Sequence, residues 1–490
     1  MDKAPSQPRT VAVVGSGMAG LVTAHLLHQD SQRRFQVTVL EKVSGITPTE
    51  SGLDPTNPST QRKQISLSAE SIAIPSDEQD EPTWADVPMR AFAGGFYQHL
   101  IRMYDYLGVN YHSQPFLFSF TRLPRQAQRE TIPSPRMIYA SNFHRLPPIP
   151  RTQDLVQWML EAAFAMLCYF WFTICVFLVT PVAEDMRTGS AGESLDAYLR
   201  RIHLPRSYVT DYLLPLISSV CTCSHEELLQ FPASDVLDYK RRTHQQQHYV
   251  VSGGVRSVEE MLLQGLDVRL GVELTSVSPQ DTGVDIEYRA ADGRTESEHF
   301  DLIVLAVSPD IAASLFPRLN KPLSSIPTTT VETVAHTDES SIRPMLQATA
   351  SSSSLSPGKK KSPVTQIRTT QRIHILSTHL TTESIHEQPN SILVTTNPIF
   401  HPDQSKVIRS ARFTRVLRNP HSRMLVNSIF QDPDPLKKSS SLYSWRSGDD
   451  GVYLAGGWCW DGMVLLEGCI VSAMRIAKDL GVCIPWQMEE

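Results

Sequence analysis

The sequence has few cysteines and no excess of basic charge, and both absences restrict the class of protein. Its 490 residues carry a net charge of −6, so the overall charge does not favour nucleic-acid binding. The seven cysteines follow no regular framework, and Cys221 and Cys223 are too close in sequence for the usual zinc or redox spacing. We therefore expect reduced thiols in an intracellular protein.

The sequence also lacks the patterns of several catalytic classes. It shows no convincing Ser/His/Asp constellation, so nucleophilic hydrolysis is not predicted. It shows no metal-ligand spacing either, so no metal site is predicted. The stretch MDKAPSQPRT at the start is polar and does not contain the apolar core of a signal peptide.

One long run is free of charged side chains: AAFAMLCYFWFTICVFLVT, residues 162–180. As a helix it would rise roughly 28 Å, close to the ~30 Å hydrocarbon core of a bilayer. Hydropathy alone therefore indicates a single transmembrane helix. The alternatives are a helix buried in the protein and a helix that lies on or dips into one leaflet. Trp158, Tyr169 and Trp171 would suit the membrane interface.

Residues 10–42 predict a strand, a tight turn, a helix and a second strand, the order of a βαβ unit. The turn has the G-x-G-x-x-G spacing that lets a backbone approach a pyrophosphate, with the helix start facing the phosphates. An acidic residue ends the second strand, where it can bind ribose hydroxyls. The predicted dinucleotide contacts are Gly15, Ser16, Gly17, Met18, Ala19, Gly20, Glu41 and Lys42.

This pattern leaves alternatives open. A ligand-free βαβ unit would also need a tight glycine turn. If a dinucleotide binds, Glu41 is compatible with FAD or NAD and argues against NADP, because a carboxylate would repel the 2′-phosphate.

Three further stretches distinguish between these dinucleotides. They are YVVSGGVRSVEEMLLQGLDVRLGVELTSVSP at 249–279, FDLIVLAVSPDIAASLF at 300–316 and DDGVYLAGGWCWDGMVLLEGCIVSAMRIAKDL at 449–480. Together with the glycine cluster, this series resembles the flavin-containing amine oxidase superfamily. DVPMRAF at 86–92 resembles the segment that returns the chain to the flavin in closer relatives. The Gly-Gly-Arg that usually follows the acidic strand end in this superfamily is missing here.

The resemblance implies an α/β fold with a discontinuous Rossmann-type FAD-binding domain. Its pieces would be residues 10–95, 245–310 and 445–485. An α+β substrate domain, residues 96–244 and 311–444, would contain the apolar helix. The serine-rich insert 347–366 is expected to be disordered.

The resemblance also implies further flavin contacts. The backbone around Leu274 would meet the adenine, and Gly456 and Gly457 would lie at the ribityl phosphate. Asp461, Gly462 and Met463 would lead into a helix whose amino end faces the flavin. Asp461 is also a candidate cap of that helix, a role that does not exclude a flavin contact.

Candidate catalytic residues are His336, Trp458 and Trp460. By the resemblance, the tryptophans would line a substrate cage, with core packing as the alternative. His336 would be a polar group or base near the flavin, with a hydrogen-bonded structural histidine as the alternative. Cys459 is expected to be a buried free thiol, and covalent flavin attachment is the other reading.

The expected function is that of an FAD-dependent oxidoreductase, which removes hydride from a C–H bond of a small organic or lipid-like substrate to flavin N5. The alternative is a membrane-associated accessory protein with an FAD fold and no activity. Because pieces of the expected FAD domain lie on both sides of the apolar run, a simple span conflicts with one assembled site. Burial in the substrate domain and contact with one leaflet then remain, and of the two a monotopic, membrane-associated protein is favoured.

Overall fold

The computed structural model describes residues 7–42, 70–74, 83–126, 128–140, 155–185, 188–349, 371–388, 391–430 and 445–487. The predicted disordered insert 347–366 lies outside these ranges except for its first three residues, which end a helix.

The described residues form twenty strands. The first ten are β1 Arg9–Val14, β2 Phe35–Glu41, β3 Glu70–Ile74, β4 Thr83–Val87, β5 Phe92–Ala93, β6 Tyr111–Ser113, β7 Phe116–Arg122, β8 Met137–Ala140, β9 His248–Val251 and β10 Asp267–Leu270. The others are β11 Glu273–Gln280, β12 Gly283–Arg289, β13 Thr295–Phe300, β14 Leu302–Leu305, β15 Thr328–His336, β16 Gln371–Ser377, β17 Thr382–Glu387, β18 Leu393–Thr396, β19 Val407–Val416 and β20 Val452–Leu454.

The α-helices of the described chain vary from one turn to more than six. The first seven are α1 Met18–His28, α2 Gln98–Leu107, α3 Leu155–Leu178, α4 Leu195–Arg201, α5 Arg206–Tyr208, α6 Leu214–Cys221 and α7 His225–Leu229. The others are α8 Ala233–Thr243, α9 Val255–Leu262, α10 Pro309–Leu315, α11 Asn320–Leu323, α12 Arg343–Thr349, α13 Pro420–Phe430 and α14 Leu466–Asp479.

A five-stranded parallel sheet in the order β10-β2-β1-β14-β20 carries the glycine turns. Its central strands, VAVV in β1 and LIVL in β14, are buried throughout. Continuous apolar strands are typical of a parallel sheet that is covered on both faces. The α/β fold class is thereby confirmed. The sheet takes strands from each of the three predicted FAD-domain segments, while the exact domain boundaries stay a prediction.

A second, seven-stranded sheet has the order β19-β15-β18-β17-β16-β7-β8. It is mixed: β16 pairs in parallel with β7, and the other pairs are antiparallel. All of its strands come from the segments predicted to form the substrate domain. A βαβ unit followed by a large mixed sheet is therefore the α/β plus α+β arrangement that the sequence predicts.

The long apolar helix α3 neither crosses a membrane simply nor lies fully buried. Its length and composition would suit a membrane span, but β1 and β2 precede it and pair with β14 and β10, which follow it. A single span would separate these hydrogen-bonded partners. Full burial, the other alternative, is also wrong, because one side of α3 is exposed.

Glu467 joins the start of α14 to the start of α2. Its two carboxylate oxygens accept hydrogen bonds from the backbone N–H groups of His99 (2.8 Å) and Leu100 (3.1 Å). The side chain is only 3% exposed, and burial raises the pKa of Glu467 to about 7. The carboxylate thus satisfies two orphan donors of α2 at the cost of desolvating a charge.

We predict that Glu467→Gln makes the free energy of unfolding less dependent on pH. The pKa of Glu467 in the folded state is higher than its ordinary value of 4.5. Its contribution to the free energy of unfolding is therefore complete below about pH 4.5 and is lost as the pH rises through about 7. Gln keeps an acceptor but does not ionise. From about pH 5 to 8, wild type should lose about 2 kcal/mol more than the variant in urea unfolding.

Glu287→Gln, an exposed change on β12, is the matched control and should keep the wild-type pH dependence. Parallel pH profiles for wild type and Glu467→Gln would contradict the assignment.

Candidate functional site

The turn between β1 and α1 requires a backbone without side chains. Gly15 has a φ of +99°, and a Cβ there would lie 2.7 Å from the carbonyl oxygen of Ala306. A Cβ on Gly20 would lie 2.0 Å from the carbonyl oxygen of Gly15, so both positions need glycine. Gly17 is the N-cap of α1 and has no side chain to satisfy the first N–H groups, which suits an anion.

Glu41 lies beside this turn at the carboxyl end of β2. Its Oε2 atom accepts hydrogen bonds from the backbone N–H and the hydroxyl of Ser16, at 2.8 and 2.7 Å. Lys42 forms an ion pair with Glu273 (2.6 Å), the residue before Leu274. This ion pair brings together two distant segments that are predicted to bind adenosine. One segment contains Glu41 and Lys42, and the other contains Leu274.

A second glycine turn follows β20. The backbone N–H of Gly456 donates to the hydroxyl of Ser472 (3.0 Å), and a Cβ on Gly457 would lie 3.0 Å from the carbonyl oxygen of Leu465. α14 starts at Leu466, nine residues after Gly457, and packs against α1. Since both helices follow strands of one parallel sheet, both turns lie at its carboxyl edge, where ligands bind in open α/β sheets.

Arg90 was not singled out from the sequence, although it lies within the DVPMRAF segment. It lines a small cavity together with Met18 and Leu466, the first residues of α1 and α14. Burial, and then the neighbouring charge of Arg415, lower the pKa of Arg90. A guanidinium remains protonated in proteins, so Arg90 supplies positive charge between the two helix starts.

Trp458 and Trp460 are both buried but point into different parts of the core. The Trp458 indole N–H donates to the carbonyl of Val307 (3.1 Å), and the Trp460 indole N–H donates to the carbonyl of Met463 (2.9 Å). They belong to separate hydrophobic clusters. They therefore do not form a facing pair, and the predicted substrate-cage role stays a prediction.

Trp460 belongs to a group of aromatic rings beside the glycine turns. The ring of Phe96 lies 5.8 Å from that of Trp460, 5.0 Å from Tyr97 and 4.8 Å from Tyr239, measured between centroids. Burial raises the pKa of Tyr97 and of Tyr239 above the ordinary value. Both phenols therefore stay protonated at neutral pH.

Cys459 has no exposed surface. Burial raises the pKa of its thiol well above the ordinary value, so the thiolate needed for covalent chemistry is disfavoured. These properties favour the buried free thiol over covalent flavin attachment.

The loop from Trp458 to Gly462 is held by a buried arginine that the sequence did not reveal. Arg418 donates to the carbonyl oxygens of Trp458 and Gly462, both at 2.6 Å. Its charge is balanced by Asp235 on α8 (3.6 Å). Arg475 donates to the carbonyl of Cys459 (2.8 Å). Three loop carbonyls thus have charged donors, which fixes the approach to α14.

Asp461 does not cap α14, so that expectation is wrong. The helix starts at Leu466, four residues beyond the N1 position that a cap at 461 would give. Asp461 is half exposed and forms an ion pair with Arg423, which also contacts Asp235 (2.9 Å) and Glu184 (2.8 Å). The intervening Gly462 and Met463 belong to the connecting loop. The flavin contacts of Asp461, Gly462 and Met463 stay predictions.

His336 ends β15 in the seven-stranded sheet. Its Nε2 atom lies 2.7 Å from the hydroxyl of Thr395, and its Nδ1 atom accepts a hydrogen bond from the backbone N–H of Asp338 (3.1 Å). Burial lowers the pKa of His336 to about 4. Both ring nitrogens are engaged, as in a structural histidine, and the catalytic role stays a prediction.

The sheet, the two glycine turns and Glu41 define a dinucleotide-binding α/β protein. A sequence profile described as flavin-containing amine oxidoreductase matches residues 177–481, more than half of the chain. A profile of NAD(P)-binding Rossmann-like domains matches residues 13–49. The chain belongs to the flavin-containing amine oxidoreductase family, so the resemblance found in the sequence is confirmed.

Solved structures share this fold at low identity. The CLA-producing fatty acid isomerase from P. acnes aligns with a TM-score of 0.56 and 12% identity, over 97% of this chain and 99% of that chain. Cyclohexylamine oxidase from Brevibacterium oxydans IH-35A aligns with a TM-score of 0.54 and 11% identity, over 97% of this chain and 100% of that chain. No curated protein sequence matches the chain.

We predict that Arg418→Met lowers the free energy of unfolding by about 3 kcal/mol. The substitution leaves the carbonyls of Trp458 and Gly462 without this donor, and it removes one of the positive charges that balance the buried Asp235. Urea unfolding monitored by tryptophan fluorescence measures the loss.

The control is Arg412→Met, which removes a surface ion pair with Glu332 and should cost under about 1 kcal/mol. Equal losses in the two variants would show that Arg418 does not hold the loop.

Proposed function

We propose that this chain is an FAD-dependent oxidoreductase that removes hydride from a C–H bond of a small organic or lipid-like substrate. The observation that carries the proposal is the meeting of two glycine turns at one sheet edge, with Glu41 beside the first. Membership of a flavin-containing family supports a flavin. Glu41 supports the adenosine form, because a carboxylate can accept hydrogen bonds from ribose hydroxyls.

The residues at the sheet edge fit FAD in shape and charge. The positions at Gly15 and Gly20 exclude a Cβ, and the start of α1 offers N–H groups to a pyrophosphate. Arg90 would add positive charge between the starts of α1 and α14. It would thereby serve in place of the arginine missing after β2. FAD, when bound, supplies the hydride acceptor.

The protein's part in the reaction is positioning and exclusion of water. Arg418 fixes the Trp458–Gly462 loop at the start of α14. For a substrate bound beside this loop, the buried aromatic group of Phe96, Tyr97, Tyr239 and Trp460 would be an apolar wall with protonated phenols. Such a wall binds hydrocarbon in preference to charge, which supports a substrate with a hydrophobic body.

We predict that the purified protein shows flavin absorption bands, directly or after reconstitution with FAD, and that Glu41→Gln raises the Kd for FAD about 10- to 100-fold. Loss of hydrogen bonds to a charged acceptor costs about 1.5–3 kcal/mol. Quenching of flavin fluorescence on titration gives the Kd.

Glu332→Gln, on β15 of the seven-stranded sheet, should leave the Kd unchanged. A protein that takes up no flavin under any of these conditions would end the FAD assignment.

We predict that anaerobic addition of a suitable substrate bleaches the flavin bands. A panel of amines and polyenes, from short to long chain, should show reduction that increases with hydrophobic length. A flavin-loaded protein that no member of the panel reduces would instead favour the accessory role. Rapid-mixing absorbance measures the rate of reduction, and photoreduction of the same sample checks that the bound flavin can be reduced.

A further inference from the structure

We propose that α3 docks this protein on an anionic phospholipid bilayer, with its axis along the membrane surface and its outer face in one leaflet. The proposal is independent of the proposed oxidoreductase activity, because it rests on residues that do not form the glycine turns.

The outer face of α3 is an uninterrupted apolar stripe. Its large members recur at helical spacing of three and four residues, so they share one side of the helix. They are Val156, Met159, Leu160, Met166, Leu167, Phe170, Trp171, Ile174, Phe177 and Leu178. Leu167 is 71% exposed and Leu178 is 77% exposed. The stripe extends about 33 Å at ~1.5 Å per residue, so this chain exposes a continuous patch that in soluble proteins marks an interaction surface.

The one charged side chain of the helix is turned the other way. Glu161 faces the protein, where its carboxylate accepts a hydrogen bond from the hydroxyl of Tyr212 and pairs with Arg136 (3.2 Å). The buried side of α3 consists mostly of small residues, including Ala162, Ala165 and Cys168. A helix in contact with water on its outer side would have the opposite polarity. The stripe therefore requires an apolar cover.

Two basic segments border the stripe on opposite edges. On one edge, the Trp171 indole N–H donates to the carbonyl of Ile202 (2.8 Å), within RRIHLPR at 200–206. On the other, Arg241 donates to the carbonyl of Val176 (2.7 Å) and the ring of His244 lies 5.5 Å from that of Phe177, within KRRTH at 240–244. Three of the border arginines are ion-paired within the chain: Arg200 with Asp196, Arg201 with Glu193 and Arg242 with Asp238. Arg206 on one edge, and Lys240 and Arg241 on the other, keep both borders net positive. An apolar centre with net positive borders complements an anionic membrane surface.

The same borders disfavour a second copy of the chain as the cover. A two-fold contact through the stripe would bring segments 200–206 and 240–244 of both copies close together. Like charges would then face each other across an apolar contact. Lipid headgroups of negative charge would instead neutralise the remaining charge of Arg206, Lys240 and Arg241.

Vesicle flotation of the full-length protein tests the proposal. The vesicles are phosphatidylcholine alone or phosphatidylcholine with phosphatidylglycerol, at low and high salt. The stripe variant is Leu167→Glu with Phe170→Glu, and the matched control is Ile311→Glu with Ile408→Glu, which changes two exposed apolar residues elsewhere.

Wild type and the control should float with the anionic vesicles, and high salt should weaken this binding. The stripe variant should partition at least about tenfold less. Its circular dichroism and flavin content should match wild type, so a binding loss would not reflect misfolding or failure of the flavin site. A wild type that stays with the soluble fraction and is monodisperse without detergent would overturn the proposal. So would a dimer that dissociates in the stripe variant but does not float.

Discussion

The parallel hydrogen bonding among strands from distant parts of the chain is the constraint on which the rest depends. β1 pairs with β14 in the register Val11 to Leu302 through Val14 to Leu305, and β20 pairs with β14 on the other side. Parallel strands end at the same edge, so two glycine turns 441 residues apart, at Gly15 and Gly456, share one site. The same pairing keeps both ends of α3 on one side of any membrane.

Buried charge holds the two sheets in a fixed relation to this site. Arg418 follows β19 of the seven-stranded sheet, yet it donates to the loop that leads from β20 into α14. Asp235, on α8, balances it from a third segment. Charged donors to backbone carbonyls are strong and directional. A loop with few hydrogen bonds of its own is thereby fixed by the segments predicted to form the substrate domain.

Local sequence patterns predicted strands and helices correctly where the apolar periodicity and the positions of turn glycines agree. The first strand, helix and second strand lie where residues 10–42 predict them. Residue pairs that meet only in space were not predictable. The burial of Arg418, the divergence of Trp458 and Trp460 and the pairing of Asp461 with Arg423 depend on which segments pack together, and no local pattern records that.

The apolar run 162–180 has some properties that the sequence determines and one that only the tertiary structure decides. The sequence determined that this segment forms a helix with no charged side chain, because composition and length are local properties. It did not determine which side of the helix faces outward, because nearly every position is apolar and periodicity carries no contrast. Only the tertiary structure decided that, by packing mostly small residues and Phe172 inward and leaving most of the large ones exposed. The reason is steric: close helix packing selects small side chains, whatever their neighbours in the sequence.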